Sequence, residues 1–159
     1  MILYHGTNID FDIIDLLKSK PNKDFGRGFY LTESLAQAQD MAQTKTDQLE
    51  CGSPTVIKYE LDEQCFSDGS LSVKRFMEYS EEWAEFILAN RNNPNSECVH
   101  SYDVVIGPIA DDRVGVQLWK YDNQLIDLPT LVKNLKYMKG ITIQYFFGTE
   151  RAIKKLKRL

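Results

Sequence analysis

Three short segments, far apart in the chain, carry residue types that together could bind a flat ring and its ribose: Tyr4-His5-Gly6-Thr7, Phe25-Gly26-Arg27-Gly28-Phe29-Tyr30, and Thr142-Ile143-Gln144-Tyr145-Phe146-Phe147. His5 can bond a ribose hydroxyl through one ring nitrogen while the other orients it, and Gly6 lets backbone approach a flat ligand closely. Gly26 and Gly28 flank Arg27 in a loop that is flexible or needs positive φ. The strand that follows puts Phe29 and Tyr30 on opposite faces, so one ring can face a cleft while the other joins the core. A phenol ring packed on a pyridinium would favour the bound cation by roughly 1 to 2 kcal/mol.

Gln144 lies among Ile143, Tyr145, Phe146 and Phe147, where an amide without partners would cost roughly 1 to 3 kcal/mol to bury. It faces either solvent or a polar site. Arg27 can pair with a pyrophosphate. The loop is not a phosphate-binding loop of the Walker type, since it lacks the lysine and serine spacing. It also precedes a strand where the dinucleotide fingerprint follows one. A nicotinamide riboside held from three sides, and hence NAD, is the ligand these segments fit. His100, in the polar stretch from Asn90 to Ser101, is read as structural.

The elements that must position these residues are mixed. Met1 to Tyr4 reads as a short apolar strand that places His5 just past its end, Lys18 to Gly28 as a loop, and Phe29 to Thr32 as a brief strand. Thr32 or Ser34 can cap a helix through Ala36, Ala38, Met41 and Ala42. Alternation in Pro54 to Leu61 predicts a half-buried strand with Ile57, Tyr59 and Leu61 on one face. Ser72 to Arg91 carries Phe76, Tyr79, Trp83, Phe86 and Ile87 at helical spacing, which predicts an amphipathic helix or helix pair.

Tyr102 to Pro108 is a short buried strand. The polar turn Ala110 to Arg113 precedes a helix from about Val114 to Tyr121, and Thr130 to Met138 is a second helix. Ile141 to Phe147 is the last strand, with Thr149 capping a closing helix through Ala152, Ile153 and Leu156. Short strands separated by helices make the class α+β, a single domain over 1–159.

Bulk properties leave room for such a site. A chain of 159 residues buries roughly two thirds of its unfolded surface, and 43% hydrophobic with 26% charged residues is ordinary for a globular protein. A net charge of -4 disfavours a nucleic-acid partner held mainly by bulk electrostatics. Cys51, Cys65 and Cys98 have neither disulfide nor metal spacing and read as buried or half-buried apolar residues. With no signal-peptide pattern and no stretch of membrane-spanning length, a cytoplasmic location without membrane partners is expected. The basic end from Arg151 to Leu159 reads as a solvated helix face, or as a contact for an acidic partner.

The order His-Gly-Thr, Phe-Gly-Arg-Gly-Phe-Tyr-Leu-Thr, then a polar residue on a late strand is similar to the diphtheria-toxin-like and poly(ADP-ribose)-polymerase-like branch of ADP-ribosyltransferases. More closely, the chain resembles a family of small bacterial ADP-ribosyltransferase-like domains of unknown function. That resemblance extends over nearly the whole chain, including Tyr102 to Asp112 and the ending from Gln144 to Thr149. It implies split antiparallel sheets with flanking helices around a central NAD cleft. His5, Tyr30 and Gln144 would be the catalytic set, with His5, Gly6, Thr7, Arg27, Gly28, Tyr30 and Met41 around NAD. His5 would bond the adenosine-side ribose and Tyr30 would stack on the nicotinamide. Met41 stands where a second tyrosine closes the other ring face in related enzymes.

Gln144 stands where active transferases of this branch often have glutamate. The reaction leaves an oxocarbenium-like state that a carboxylate stabilises, and glutamine supplies neither charge nor base. Asp111 and Asp112, with Glu33 and Glu150, are candidate acid/base residues, and Gln144→Glu is expected to equal or raise turnover. The resemblance implies a mono-ADP-ribosyltransferase acting on a protein or nucleic-acid acceptor, as the toxin of a toxin-antitoxin pair with a small antitoxin partner. The alternatives are an NAD glycohydrolase, or a non-catalytic NAD-binding or interaction module that has lost the catalytic glutamate.

Overall fold

Two sheets carry the chain in the computed structural model, which describes residues 1–95, 97–138 and 140–159. In the first, β1 (Ile2–Thr7) runs antiparallel to β3 (Thr55–Glu60), with Leu3 opposite Tyr59 and His5 opposite Ile57. The short β7 (Lys157–Arg158) adds to the other edge of β3. The second sheet has the order β2 (Phe29–Leu31), β6 (Ile143–Phe147), β5 (Val104–Pro108), β4 (Val73–Arg75). The expected α+β class and pair of sheets are present, with one departure: β4 and β5 run parallel. A parallel neighbour needs a crossover, and α2 (Glu81–Arg91) supplies it.

The segment from Ser72 to Arg91 is therefore not one helix or a helix pair. Val73 to Arg75 pair with Val104 to Ile106, and only at Ser80, whose hydroxyl accepts from Trp83 N at 3.1 Å, does a helix begin. Phe76 and Tyr79 lie between strand and helix and are buried there. Ser34 caps α1 (Leu35–Leu49). The later helices are α3 (Asp112–Asp122), α4 (Leu128–Lys136) and α5 (Glu150–Ile153), the last capped by Thr149.

The closing helix ends at Ile153, short of the expected Leu156, because the chain turns to pair with β3. Of its basic end only Arg151 lies on the helix; the rest follows through a turn onto β7. Lys157 pairs with Glu60, Arg158 with Asp10 and Asp12, and Arg151 with Asp103.

Side-chain alternation divides the interior in two. Tyr145 and Phe147 of β6 join Leu3, Leu31, Ile57, Tyr59 and Val104 between the sheets. Phe146 points to the other face, where Phe25, Trp83, Ile87, Leu118, Leu131 and Leu135 pack under α2, α3 and α4. Gln144 shares the Phe146 face. The sheets are joined where Tyr4 N donates to Thr32 O at 2.8 Å and Thr32 N to Tyr4 O at 3.0 Å, which brings the end of β1 beside β2. Cys65 is buried, whereas Cys51 and Cys98 are exposed, against the expectation for these two. Among the described residues no helix is long and apolar enough to cross a membrane.

Candidate functional site

His5, Gly6 and Thr7 lie on β1 itself, not in a turn past it. His5 Nδ1 is 2.8 Å from the carbonyl oxygen of Tyr30. A carbonyl only accepts, so Nδ1 carries the proton and Nε2 of the neutral ring is an acceptor. The ring packs on Phe29 at 4.3 Å between centroids and meets the edge of Phe11 at 5.8 Å. Burial, and after it the charge of Lys45, hold its pKa down at about 3, against the opposing bond to Tyr30 and with a smaller push from Lys23. His5 is thus neutral at pH 7.

Gly6 has a packing reason for its lack of a side chain: a Cβ there would stand 2.1 Å from Ala38 O on α1. Its carbonyl accepts from Lys45 Nζ at 2.9 Å. Thr7 is buried opposite Thr55.

The phenol of Tyr30 fastens the glycine-rich loop. Its hydroxyl donates to Gly26 O at 2.7 Å and accepts from Phe25 N at 3.1 Å; burial holds it in its protonated form. Gly26 adopts φ of +86°, and a side chain at Gly28 would strike the Phe146 ring. The Tyr30 ring lies near-parallel to Phe25 at 6.4 Å and meets Phe146 at 66°. Lys23 Nζ stands 4.9 Å over the ring centroid, so the ring face already holds a cation. Arg27 is half-buried and its Nε has no partner among the described residues. Met41 is 47% exposed on α1. His100 serves the same loop: its Nδ1 accepts from Tyr102 N at 3.2 Å, so Nε2 donates to Phe25 O at 2.8 Å.

Gln144 is 9% exposed, and its Nε2 donates to Asp24 Oδ2 at 3.1 Å. A carboxylate only accepts, so this contact fixes which way the amide points and turns Oε1 away from Asp24. Asp24 also takes Arg91 Nε at 2.9 Å, Arg91 Nη2 at 2.7 Å and Ala110 N at 3.2 Å. Sequence reasoning missed both Asp24 and Arg91. Nothing local marks them, although Asp24 directly precedes Phe25 of the glycine-rich segment.

Among the described residues, none of the other candidate carboxylates bonds Gln144. Asp111 caps α3, its Oδ1 accepting from Val114 N at 3.0 Å and its Oδ2 from Arg113 at 3.1 Å. Burial pushes its pKa up, but these two donors outweigh that and leave it below the usual carboxylate range. Asp112 and Glu150 are exposed in the first turns of α3 and α5. Glu33 accepts from the Tyr145 hydroxyl, on the face of β6 opposite Gln144.

One loop therefore joins the three segments: Tyr30 binds His5 at one end of it, and Asp24 binds Gln144 at the other. Two lysines absent from the sequence-based set, Lys23 and Lys45, bring positive charge to the His5 side. An open hollow at the α3–α4 turn, lined by Tyr121, Leu125, Ile126 and Thr130 among others, shares none of these residues and contains no histidine, lysine or arginine. No curated protein sequence matches the chain. Residues 1–158 match the family described as Protein of unknown function (DUF3990), and the chain belongs to that family.

Proposed function

We propose that this site binds NAD and transfers its ADP-ribose to a macromolecular acceptor, as a mono-ADP-ribosyltransferase. The observation that carries the proposal is the loop from Asp24 to Tyr30, which holds an acceptor nitrogen of His5, a cation-binding aromatic face and an oriented Gln144 in one connected unit. The nicotinamide would take the face of Tyr30 now under Lys23. His5 Nε2 would accept from a ribose hydroxyl, and Gln144 Oε1 from the 2'-hydroxyl of the nicotinamide ribose.

When the glycosidic bond breaks, its electron pair goes to the pyridinium nitrogen and nicotinamide leaves neutral. The positive charge on the ribose then lies toward Gln144, whose amide is polarised by the Asp24 carboxylate behind it. Asp24 is not the proton acceptor, since Arg91, Ala110 and Gln144 occupy its oxygens. The acceptor group attacks the anomeric carbon and releases its own proton to solvent. That requirement favours a single transfer to a nucleophile brought by the acceptor.

Calorimetric titration with NAD tests the site. The wild type is expected to bind, Tyr30→Phe to stay within a few fold, and Tyr30→Ala to weaken about tenfold or more, the value of a lost ring contact. Equal affinity in all three would make Tyr30 a core residue only.

A further inference from the structure

The chain has 23 acidic and 19 basic side chains, and among the described residues six of the basic ones pair with carboxylates. Lys74, Arg91, Arg113, Arg151, Lys157 and Arg158 each form an ion pair. Lys23 and Lys45 are half-buried, and neither has a carboxylate within ion-pair distance among the described residues. Lys45 gives one ammonium proton to Gly6 O at 2.9 Å, which leaves two donors and fixes the position of the charge. Lys23 stands over Tyr30.

Lys45 is tied to Gly6, next to His5, and Lys23 to the ring of Tyr30, whose carbonyl holds the His5 ring, so the two charges flank one histidine; burial first, and the charge of Lys23 after it, lower the pKa of Lys45 to about 8. Half-burying two like charges around one histidine opposes folding, and an anion between them would relieve that cost. Lys45 could be explained as a clasp between α1 and β1. Lys23, which has only a ring face and the neighbouring Asp24 charge, could not.

We propose that Lys23 and Lys45 form a binding site for the diphosphate of the dinucleotide, reached when Lys23 swings off the Tyr30 ring. This rests on the NAD proposal, because it places the anion next to a ring on Tyr30 and a ribose at His5. The diphosphate gives Lys23 a new partner as the nicotinamide takes its old one. Ring and anion thus bind as one event.

The test titrates ADP, inorganic pyrophosphate and NAD into wild type, Lys23→Gln, Lys45→Gln and Lys45→Arg, with thermal melting to establish folding. ADP and pyrophosphate are expected to bind the wild type and to weaken about tenfold in each glutamine variant, while Lys45→Arg stays within a few fold. Amine-reactive labelling of the wild type, read by mass spectrometry, is independent of any variant: ADP should protect Lys23 and Lys45 but not Lys58. ADP that binds all variants equally, fails to bind the wild type, or protects neither lysine overturns the site. Lysine-dependent ADP binding without NAD binding keeps the anion site and removes the NAD proposal. NAD binding that is equal in all four proteins does the reverse.

Discussion

Gln144 and Asp24 act as one unit, and this reverses what sequence alone favours for position 144. A glutamate there would face the Asp24 carboxylate across the 3.1 Å contact that the amide now fills. Two buried acceptors without a proton between them repel, so Gln144→Glu is expected to lower stability by about 1 to 3 kcal/mol and to reduce turnover. The double variant Asp24→Asn/Gln144→Glu restores a donor to this contact while weakening those to Arg91 and Ala110, so it should recover part of that loss in urea denaturation. If the single and double variants unfold at the same denaturant concentration, the contact does not hold the strand. His5 gives a second prediction, in pH. Its folded pKa of about 3 lies below the ordinary 6.5, so between these values the unfolded chain takes a proton that the folded one refuses. Stability is then full above pH 6.5 and falls as pH drops, by up to about 1.4 kcal/mol per pH unit from this group. His5→Gln should show a shallower fall over that window than the wild type; parallel curves would contradict a buried neutral histidine.

At the scale of elements, the site depends on β1 lying close against α1. Gly6→Ala puts a methyl into the backbone of Ala38, which cannot give way as a side-chain tip does, so a loss of about 1 to 3 kcal/mol is expected in thermal melting. An unshifted melting temperature would mean that α1 can retreat. Strand β3 was legible because Ile57, Tyr59 and Leu61 alternate with Val56, Lys58 and Glu60, and that is the face buried. The segment from Ser72 was not, since Phe76, Tyr79 and Trp83 fit helical spacing while reaching the core from a strand end, a turn and a helix. The pairing of Val73 to Arg75 is long-range and leaves no local period. Strand β7 was hidden for a similar reason: its counterions Asp10, Asp12 and Glu60 belong to distant segments.

Over the whole molecule, the segments around His5, Tyr30 and Gln144 are brought together by contacts between distant parts of the chain. Types and order of residues made His5, Tyr30 and Gln144 visible. The ligature around them was not, because Asp24 meets Arg91, Ala110 and Gln144 across separations of 67, 86 and 120 residues. Net charge carries no such local information: a chain at -4 still places Lys23 and Lys45 where both lower the pKa of His5. The proposed role of that assembly is transfer of ADP-ribose from NAD. Its most direct measurement is incubation of the wild type and Tyr30→Ala with NAD labelled in the adenylate half, in a cell lysate, counting labelled macromolecule and released nicotinamide. Both are expected in equal amounts with the wild type, and about tenfold less of each with the variant at NAD concentrations below saturation. NAD recovered intact from the wild-type reaction, or nicotinamide released with all label in free ADP-ribose, would contradict that role.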